Sequence, residues 1–287
     1  MPKFGFNLLN WTAAVSDEHF PIVERLKTIG YDGIEIFTGS EDSDTYKRLG
    51  QFLKDQELGI TCVTVLPAEA NPISPEAKVR AQALDRLKWN IDRCVDVGAG
   101  LLCGPFHSAF ATFTRNHIEP VEYERSAEVL RAAGDYAQQA GVTLAPEALN
   151  RFECYLCNTM GQLRHLLEMT DHPNVRAMYD THHANVEEKT HASAIKHIAP
   201  FLSHVHVSEN DRGTPGSGHI DFAETLSTCH EVGYDGWFTI EAFSRADPAF
   251  ANAINVWREF SPDWDIAEAG YTYLANAMRK AGYDRPV

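Results

Sequence analysis

One alternation, repeated eight times, constrains this chain more than any other feature. Short apolar, β-rich runs stand at "KFGFNL", "GIEIF" (33–37), "GITCVTV" (59–65), "GLLCG" (100–104), "VTLAPE" (142–147), "VRAMYD" (175–180), "LSHVHV" (202–207) and "WFTIE" (237–241). Stretches with helical spacing lie between them: Val23, Leu26 and Ile29; Ala83, Leu84, Leu87, Ile91 and Val95; Val129, Leu130, Ala133 and Tyr136. Residues three and four apart share a helix face, so each set predicts an apolar stripe. Glycines in "IGYDG", "AGVT" and "VGYDG" stand where helices are expected to end, since glycine takes the left-handed C-terminal cap at no steric cost. Eight strand–helix units in 287 residues predict a (β/α)8 barrel with residues 1–287 forming a single domain. A doubly wound sheet is the competing architecture, but no GxGxxG follows the first strand. "GTPGSG" (213–218) follows the seventh strand and lacks the lysine of a P-loop, so no phosphate cradle is expected there.

Composition narrows the partners. A formal net charge of −15 argues against a nucleic-acid groove, which needs basic residues to offset phosphates, and against an anionic membrane surface. With no run of about 18 apolar residues, no membrane span is expected. Met1 to Asn10 lacks a basic segment followed by an apolar one, so no secretory leader is expected. Six cysteines are few for this length and fit a reducing cytoplasm. The CxxC at Cys154 and Cys157 is a single pair, and without a second pair a structural role is favoured over zinc.

In a parallel barrel the active site lies at the C-terminal ends of the strands. The predicted fifth strand ends in Glu147, the sixth in Asp180 and the eighth in Glu241. The seventh carries His204 and His206 two apart, hence on one face. Each residue alone has an ordinary explanation, such as Asp180 capping the next helix. Together, three carboxylates and an imidazole on one rim repel one another unless a cation lies between them. Oxygen ligands with one imidazole suit Mn²⁺ or Mg²⁺ better than a structural Zn²⁺, which favours Cys and His.

Four strings carry a specific resemblance: "PEALNRFE" (146–153), "YDTHHANVEE" (179–188), "SHVHVSENDR" (203–212) with "PGSGHIDF" (215–222), and "GYDGWFTIEAF" (233–243). In this order they resemble the metal-dependent ketose 3-epimerases, the D-tagatose 3-epimerase and D-allulose (psicose) 3-epimerase group of the xylose-isomerase-like TIM barrel superfamily. The resemblance implies that Glu147, Asp180, His206 and Glu241 bind one divalent ion, usually Mn²⁺, with Co²⁺ or Mg²⁺ as alternatives. It implies that Glu147 and Glu241 are also the catalytic acid/base pair, and that Glu153, His183 and Arg212 bind the C1–C3 oxygens of a ketose. His183 is expected in a loop above the barrel, with His182 a loop residue outside the substrate contacts and His204 behind the metal. The resemblance further implies a homodimer or homotetramer. Phe6, Trp11, Leu66, Phe110 and Phe243 are candidates for the apolar wall of the sugar site or for core. "VLPAEANPISP" (65–75) and Ala242 depart from the group's pattern, which leaves the preferred sugar open.

The expected activity is therefore inversion of C3 in a free ketose such as D-tagatose, D-fructose/D-allulose or a ketopentose. An aldose–ketose or hydroxypyruvate-type isomerase on the same metal is the first alternative. An apurinic endonuclease, which needs a basic groove and a trinuclear zinc site, and a barrel that binds sugar without turnover are the others.

Overall fold

The computed structural model describes residues 1–39 and 42–284; residues 40–41 and 285–287 of the expected 1–287 domain lie outside the described residues. Eight strands form one parallel sheet: β1 Lys3–Asn7, β2 Gly33–Phe37, β3 Gly59–Val63, β4 Leu101–Gly104, β5 Thr143–Pro146, β6 Ala177–Asp180, β7 Leu202–Val207 and β8 Trp237–Ile240. The order is β5-β4-β3-β2-β1-β8-β7-β6, with β1 hydrogen-bonded to β8. The two ends of that order, β5 and β6, meet through only two isolated bridges, Leu144 to Val175 and Glu147 to Met178. The barrel thus closes at a thin seam, and the seam runs up to Glu147.

Helices cover the strands: α1 Phe20–Ile29, α2 Ser43–Asp55, α3 Ala77–Val97, α4 Pro120–Ala140, α5 Met160–Thr170, α6 Thr181–Glu187, α7 His191–Ile198, α8 Phe222–Glu231, α9 Pro248–Ala253 and α10 Asp263–Lys280. Local chemistry sets their ends. Pro120 occupies the first turn of α4, where its missing N–H costs nothing, and the Glu122 carboxylate accepts the Glu119 N–H in a capping box. Gly30 and Gly141 close α1 and α4 at positive φ, as expected, and Gly233 follows α8 the same way. The α3 stripe differs from the expectation at one place. Val95 is exposed, and Cys94 and Val97 are buried instead. After Leu87 the buried line steps through Asn90, Ile91, Cys94 and Val97, so it follows i+3 at the turn where Val95 would need i+4.

Two features of the sheet prepare the site. Gly104 ends β4 with φ of 123°, and a Cβ there would lie 2.1 Å from the Thr64 carbonyl oxygen. Only glycine tolerates that approach, and the Gly104 carbonyl then accepts the Glu147 N–H at 2.9 Å. The sheet register also sets polar residues side by side. Asn7 is level with Glu35, Glu35 with Thr61, and Asp180 with His206. Level residues on neighbouring parallel strands point the same way, and all five are buried.

Candidate metal centre and sugar pocket

Asp180 ends β6 and also caps α6. Its Oδ1 accepts the N–H groups of His182 and His183 at 2.6 and 3.3 Å. The ordinary cap and the functional reading therefore coexist: one oxygen holds the helix, and the other, Oδ2, faces the barrel axis. The cap starts a helix immediately, so His182 and His183 ride on the first turn of α6 where a loop was expected. His183 points inward and is buried; its Nδ1 accepts the Asn150 N–H at 3.1 Å. His182 is half-buried, with Nδ1 3.1 Å from the Glu209 carbonyl oxygen.

Around Oδ2 the predicted cluster assembles. His206 Nδ1 lies 3.6 Å from Asp180 Oδ2 and 3.4 Å from Glu241 Oε2. Ligand atoms of Glu147, Asp180 and His206 all lie within 4.8 Å of one another. Glu147 Oε1 and His206 Nδ1 are buried without a hydrogen-bond partner. Buried polar atoms are normally paired, so a donor set of carboxylates and one imidazole with orphaned ligand atoms fits a divalent cation. The positive charge in this structure comes from Arg212. Its Nη1 donates to Asp180 Oδ2 at 3.0 Å, Glu241 Oε2 at 2.7 Å and Ser208 Oγ at 2.9 Å, and its Nη2 lies 2.8 Å from His183 Nε2. Arg212 is buried at φ of 63°, a left-handed conformation that a non-glycine residue adopts at a cost. Arg212 is expected against the substrate; its guanidinium lies among the carboxylates and also lines the cavity.

The electrostatics separate the acids. Burial, then the negative charges of Asp180 and Glu241, push the Glu147 carboxyl well above its usual pKa. Burial works the same way on Asp180, but Arg212 and His183 overcome it and hold that carboxyl well below its usual range. Burial, reinforced by the Arg212 charge, pushes His183 well below an ordinary imidazole; both its ring nitrogens already face N–H donors. Burial also opposes the imidazolium of His206, yet Glu35 and Glu241 outweigh it and raise its pKa well above the ordinary value. Carboxyls driven apart in this way are typical of acid/base sites.

Glu153 accepts from Asn150 Nδ2 at 2.8 Å and lines the same cavity of about 400 Å³ as Glu147, His182, His183, Arg212 and Glu241. These polar residues form one end; Leu9, Phe37, Val63, Phe110, Phe243 and Ile254 are among those forming the other. Of the five wall candidates, Phe110 and Phe243 line the cavity. Phe6 and Trp11 instead pack against each other, tilted by 36° with centroids 5.0 Å apart, and Leu66 is buried in the core. The "GTPGSG" loop is organised by Glu209, whose carboxylate accepts the N–H groups of Asn210, Gly216 and Ile220. An internal carboxylate thus takes the amides a phosphate would need. All six cysteines are buried free thiols.

Sequence reading missed Glu35. It stands within "GIEIF", a run read only as apolar, but a charged residue centred in a strand covered on both sides is itself a signal. Asn7 Nδ2 donates to Glu35 Oε1 at 2.9 Å and to Glu241 Oε1 at 3.0 Å, and Thr61 Oγ1 donates to Glu35 Oε2 at 2.8 Å.

His107, after β4, gives the fold an acid limit. Burial lowers its pKa from 6.5 to about 4. Between these values the unfolded chain binds the proton and the folded chain does not, so stability falls as pH drops through that window, by about 3 kcal/mol at its end. Urea unfolding from pH 7 to 4.5 is expected to show a shallower decline for His107→Asn than for the parent, and equal slopes would refute this role.

Three comparisons bear on the site. The family described as "Xylose isomerase-like TIM barrel" matches residues 23–260. A probable ketose 3-epimerase of Synechocystis sp. is 28% identical over 273 residues, 95% of each chain, and a D-psicose 3-epimerase of Ruminiclostridium cellulolyticum is 29% identical over 90% of each. The solved structure of an L-ribulose 3-epimerase superposes with a TM-score of 0.92 at 27% identity, covering 98% of this chain and 96% of that one.

Proposed function

We propose a specific reaction for a chain that belongs to the xylose isomerase-like TIM barrel family: inversion of C3 in a free ketose. The observation that carries the reading is the meeting of Glu147, Asp180, His206 and Glu241 in one buried cluster, of which Glu147 and Glu241 line the cavity. The names of the relatives supply the substrate class, with D-psicose and L-ribulose among them.

Glu147, Asp180, His206 and Glu241 would hold one divalent ion, with Mn²⁺ favoured over Co²⁺ or Mg²⁺ for this donor set. When bound, the ion supplies Lewis-acid stabilisation of the negative charge that develops on a ketose carbonyl when C3 loses its proton. Inversion needs a base on one face of the carbon and an acid on the other. Glu147, from the fifth strand, and Glu241, from the eighth, are the carboxylates placed for those two tasks. One removes the C3 proton, and the other returns a proton to the opposite face. Glu153, His183 and Arg212 present a carboxylate, an imidazole and a guanidinium to the same polar end, where they bind and orient the C1–C3 oxygens. The apolar end excludes water from the charged intermediate, which strengthens every electrostatic contact there.

The protein is further proposed to work in the cytoplasm as a homodimer or homotetramer. Buried free thiols suit a reducing compartment, and Phe152 and Trp257 are exposed apolar side chains that a second copy can cover. Among the described residues no helix is long and apolar enough to cross a membrane.

An isomerase moving a proton between C1 and C2 uses the same residues, and solvent exchange separates the two. Incubated in D₂O with D-fructose, D-tagatose or a ketopentose, the enzyme is expected to place deuterium at C3, read by proton NMR, with the epimer appearing in step. Exchange at C1 alone would establish the isomerase instead.

A further inference from the structure

Below the metal-binding end, the barrel axis holds a second, fully buried set: Glu35, Cys103, His204 and His206. Barrel interiors are usually filled by branched apolar side chains, and an isolated buried carboxylate is costly. Glu35 is not isolated. His206 Nε2 is 2.7 Å from its Oε1 and His204 Nε2 is 2.9 Å from its Oε2. Thr61 and Asn7 donate to it, and the Cys103 thiol lies 3.4 Å from Oε2. The two imidazole N–H groups point off the direct line to the carboxylate, so these are contacts of charge more than straight hydrogen bonds.

The same geometry fixes which nitrogen of His206 faces the substrate end. As a metal ligand His206 must be neutral, and a neutral imidazole carries its proton on one nitrogen only. With a carboxylate oxygen 2.7 Å from Nε2, closer than any acid is to Nδ1, the attraction between negative oxygen and N–H favours the proton there. Nδ1 is then the bare nitrogen, and it is the one 3.6 Å from Asp180 and 3.4 Å from Glu241. Asn7 extends the reach, since its single amide nitrogen bridges Glu35 Oε1 and Glu241 Oε1.

We propose that Glu35 is a positioning residue for the metal seat: through Nε2 it holds His206 with Nδ1 aimed between Asp180 and Glu241, and through Asn7 it fixes the Glu241 carboxylate. Glu35 touches neither cavity nor substrate. The inference rests on the metal reading above and extends it to a residue on β2, two strands from Glu241 and three from His206 in the sheet order.

The test is binding of Mn²⁺ alone to the full chain, read from the electron paramagnetic resonance signal of the free aquo ion. Glu35→Gln keeps size but removes the charge and leaves one acceptor oxygen where the carboxylate offers two. Loss of such a partner behind a metal-bound histidine typically weakens binding about 10- to 100-fold, and that is the expected loss, with Glu35→Asp recovering part of it. His204→Gln, which leaves the Glu35–His206 contact in place, is expected to keep affinity within about threefold of the parent by the same reasoning. Unchanged affinity in a folded Glu35→Gln protein overturns the proposal. So does a second Mn²⁺ per chain that is lost in His204→Gln, because Glu35 would then be a ligand itself. Should Glu35→Gln fail to fold, the parent still decides the matter. In the Mg²⁺-loaded protein, ¹⁵N spectra of the imidazoles are expected to show His206 protonated at Nε2, identified by its loss in His206→Asn, and protonation at Nδ1 overturns the assignment. A parent that binds no divalent ion removes the metal reading itself, an outcome distinct from a parent that binds and a Glu35→Gln protein that binds equally well.

Discussion

Glu147→Gln and Glu241→Gln are each expected to lower ketose turnover by roughly 10³-fold or more, within or beyond the 10²–10⁴-fold range of one acid/base group, because each side chain is also assigned to the metal. The amide keeps the volume and one acceptor oxygen but can neither take the C3 proton nor return one. The two variants are expected to differ in stability. Burial and its acidic neighbours push the Glu147 carboxyl well above its usual pKa, so a neutral amide there suits the site better than a carboxylate and leaves the fold as stable or more so. Glu241 accepts Arg212 Nη1 at 2.7 Å and Asn7 Nδ2 at 3.0 Å; its amide leaves a buried guanidinium short of an anion, which costs about 2 kcal/mol or more. Steady-state kinetics on the ketose that exchanges fastest, together with thermal unfolding, checks both. Retention of more than a tenth of the parent activity by both variants would refute the two-glutamate assignment.

Removal of metal is the second large effect. Dialysis against EDTA is expected to take activity to background, and Mn²⁺ to restore it. Binding to the folded state alone adds about 2.7 kcal/mol at 100 times Kd, which corresponds to a rise in Tm on the order of 5 °C for a chain of this size. The observed rise is expected at the lower end of that figure. Arg212 already pairs with both Asp180 and Glu241 in this structure, so an ion entering between them must first displace the guanidinium. Calorimetry with and without Mn²⁺, Co²⁺ and Mg²⁺ measures this directly, and a Tm indifferent to all three would sink the metal centre.

Much of this was legible in the residues. Strands covered on both faces read as unbroken apolar runs, so all eight appear in the sequence within a residue or two of their ends. The strand-end rule then put Glu147, Asp180 and Glu241 on one rim, and the period of two put His204 and His206 on one face. What stayed hidden depends on distances that no local pattern encodes. "GIEIF" does not reveal that Glu35 lies beside two histidines from a strand about 170 residues later. "ENDR" does not reveal that Arg212 turns inward through a left-handed backbone. "DTHH" reads as a loop because the cap that makes it a helix is the same carboxylate assigned to the metal. Val95 failed for a simpler reason: i+3 and i+4 both fit an apolar stripe, and the packing chose i+3.

The thin seam between β5 and β6 carries one more implication. It is the barrel's fault line, bridged at two points where the other neighbouring strands share a ladder, and Glu147 and Asp180 stand on its opposite banks. A cation gripped by both would act as a rivet, tying the first five strands to the last three at the spot with fewest backbone ties. Part of its grip would then be spent holding the wall shut, and the loaded barrel would be a stiffer vessel than the bare one.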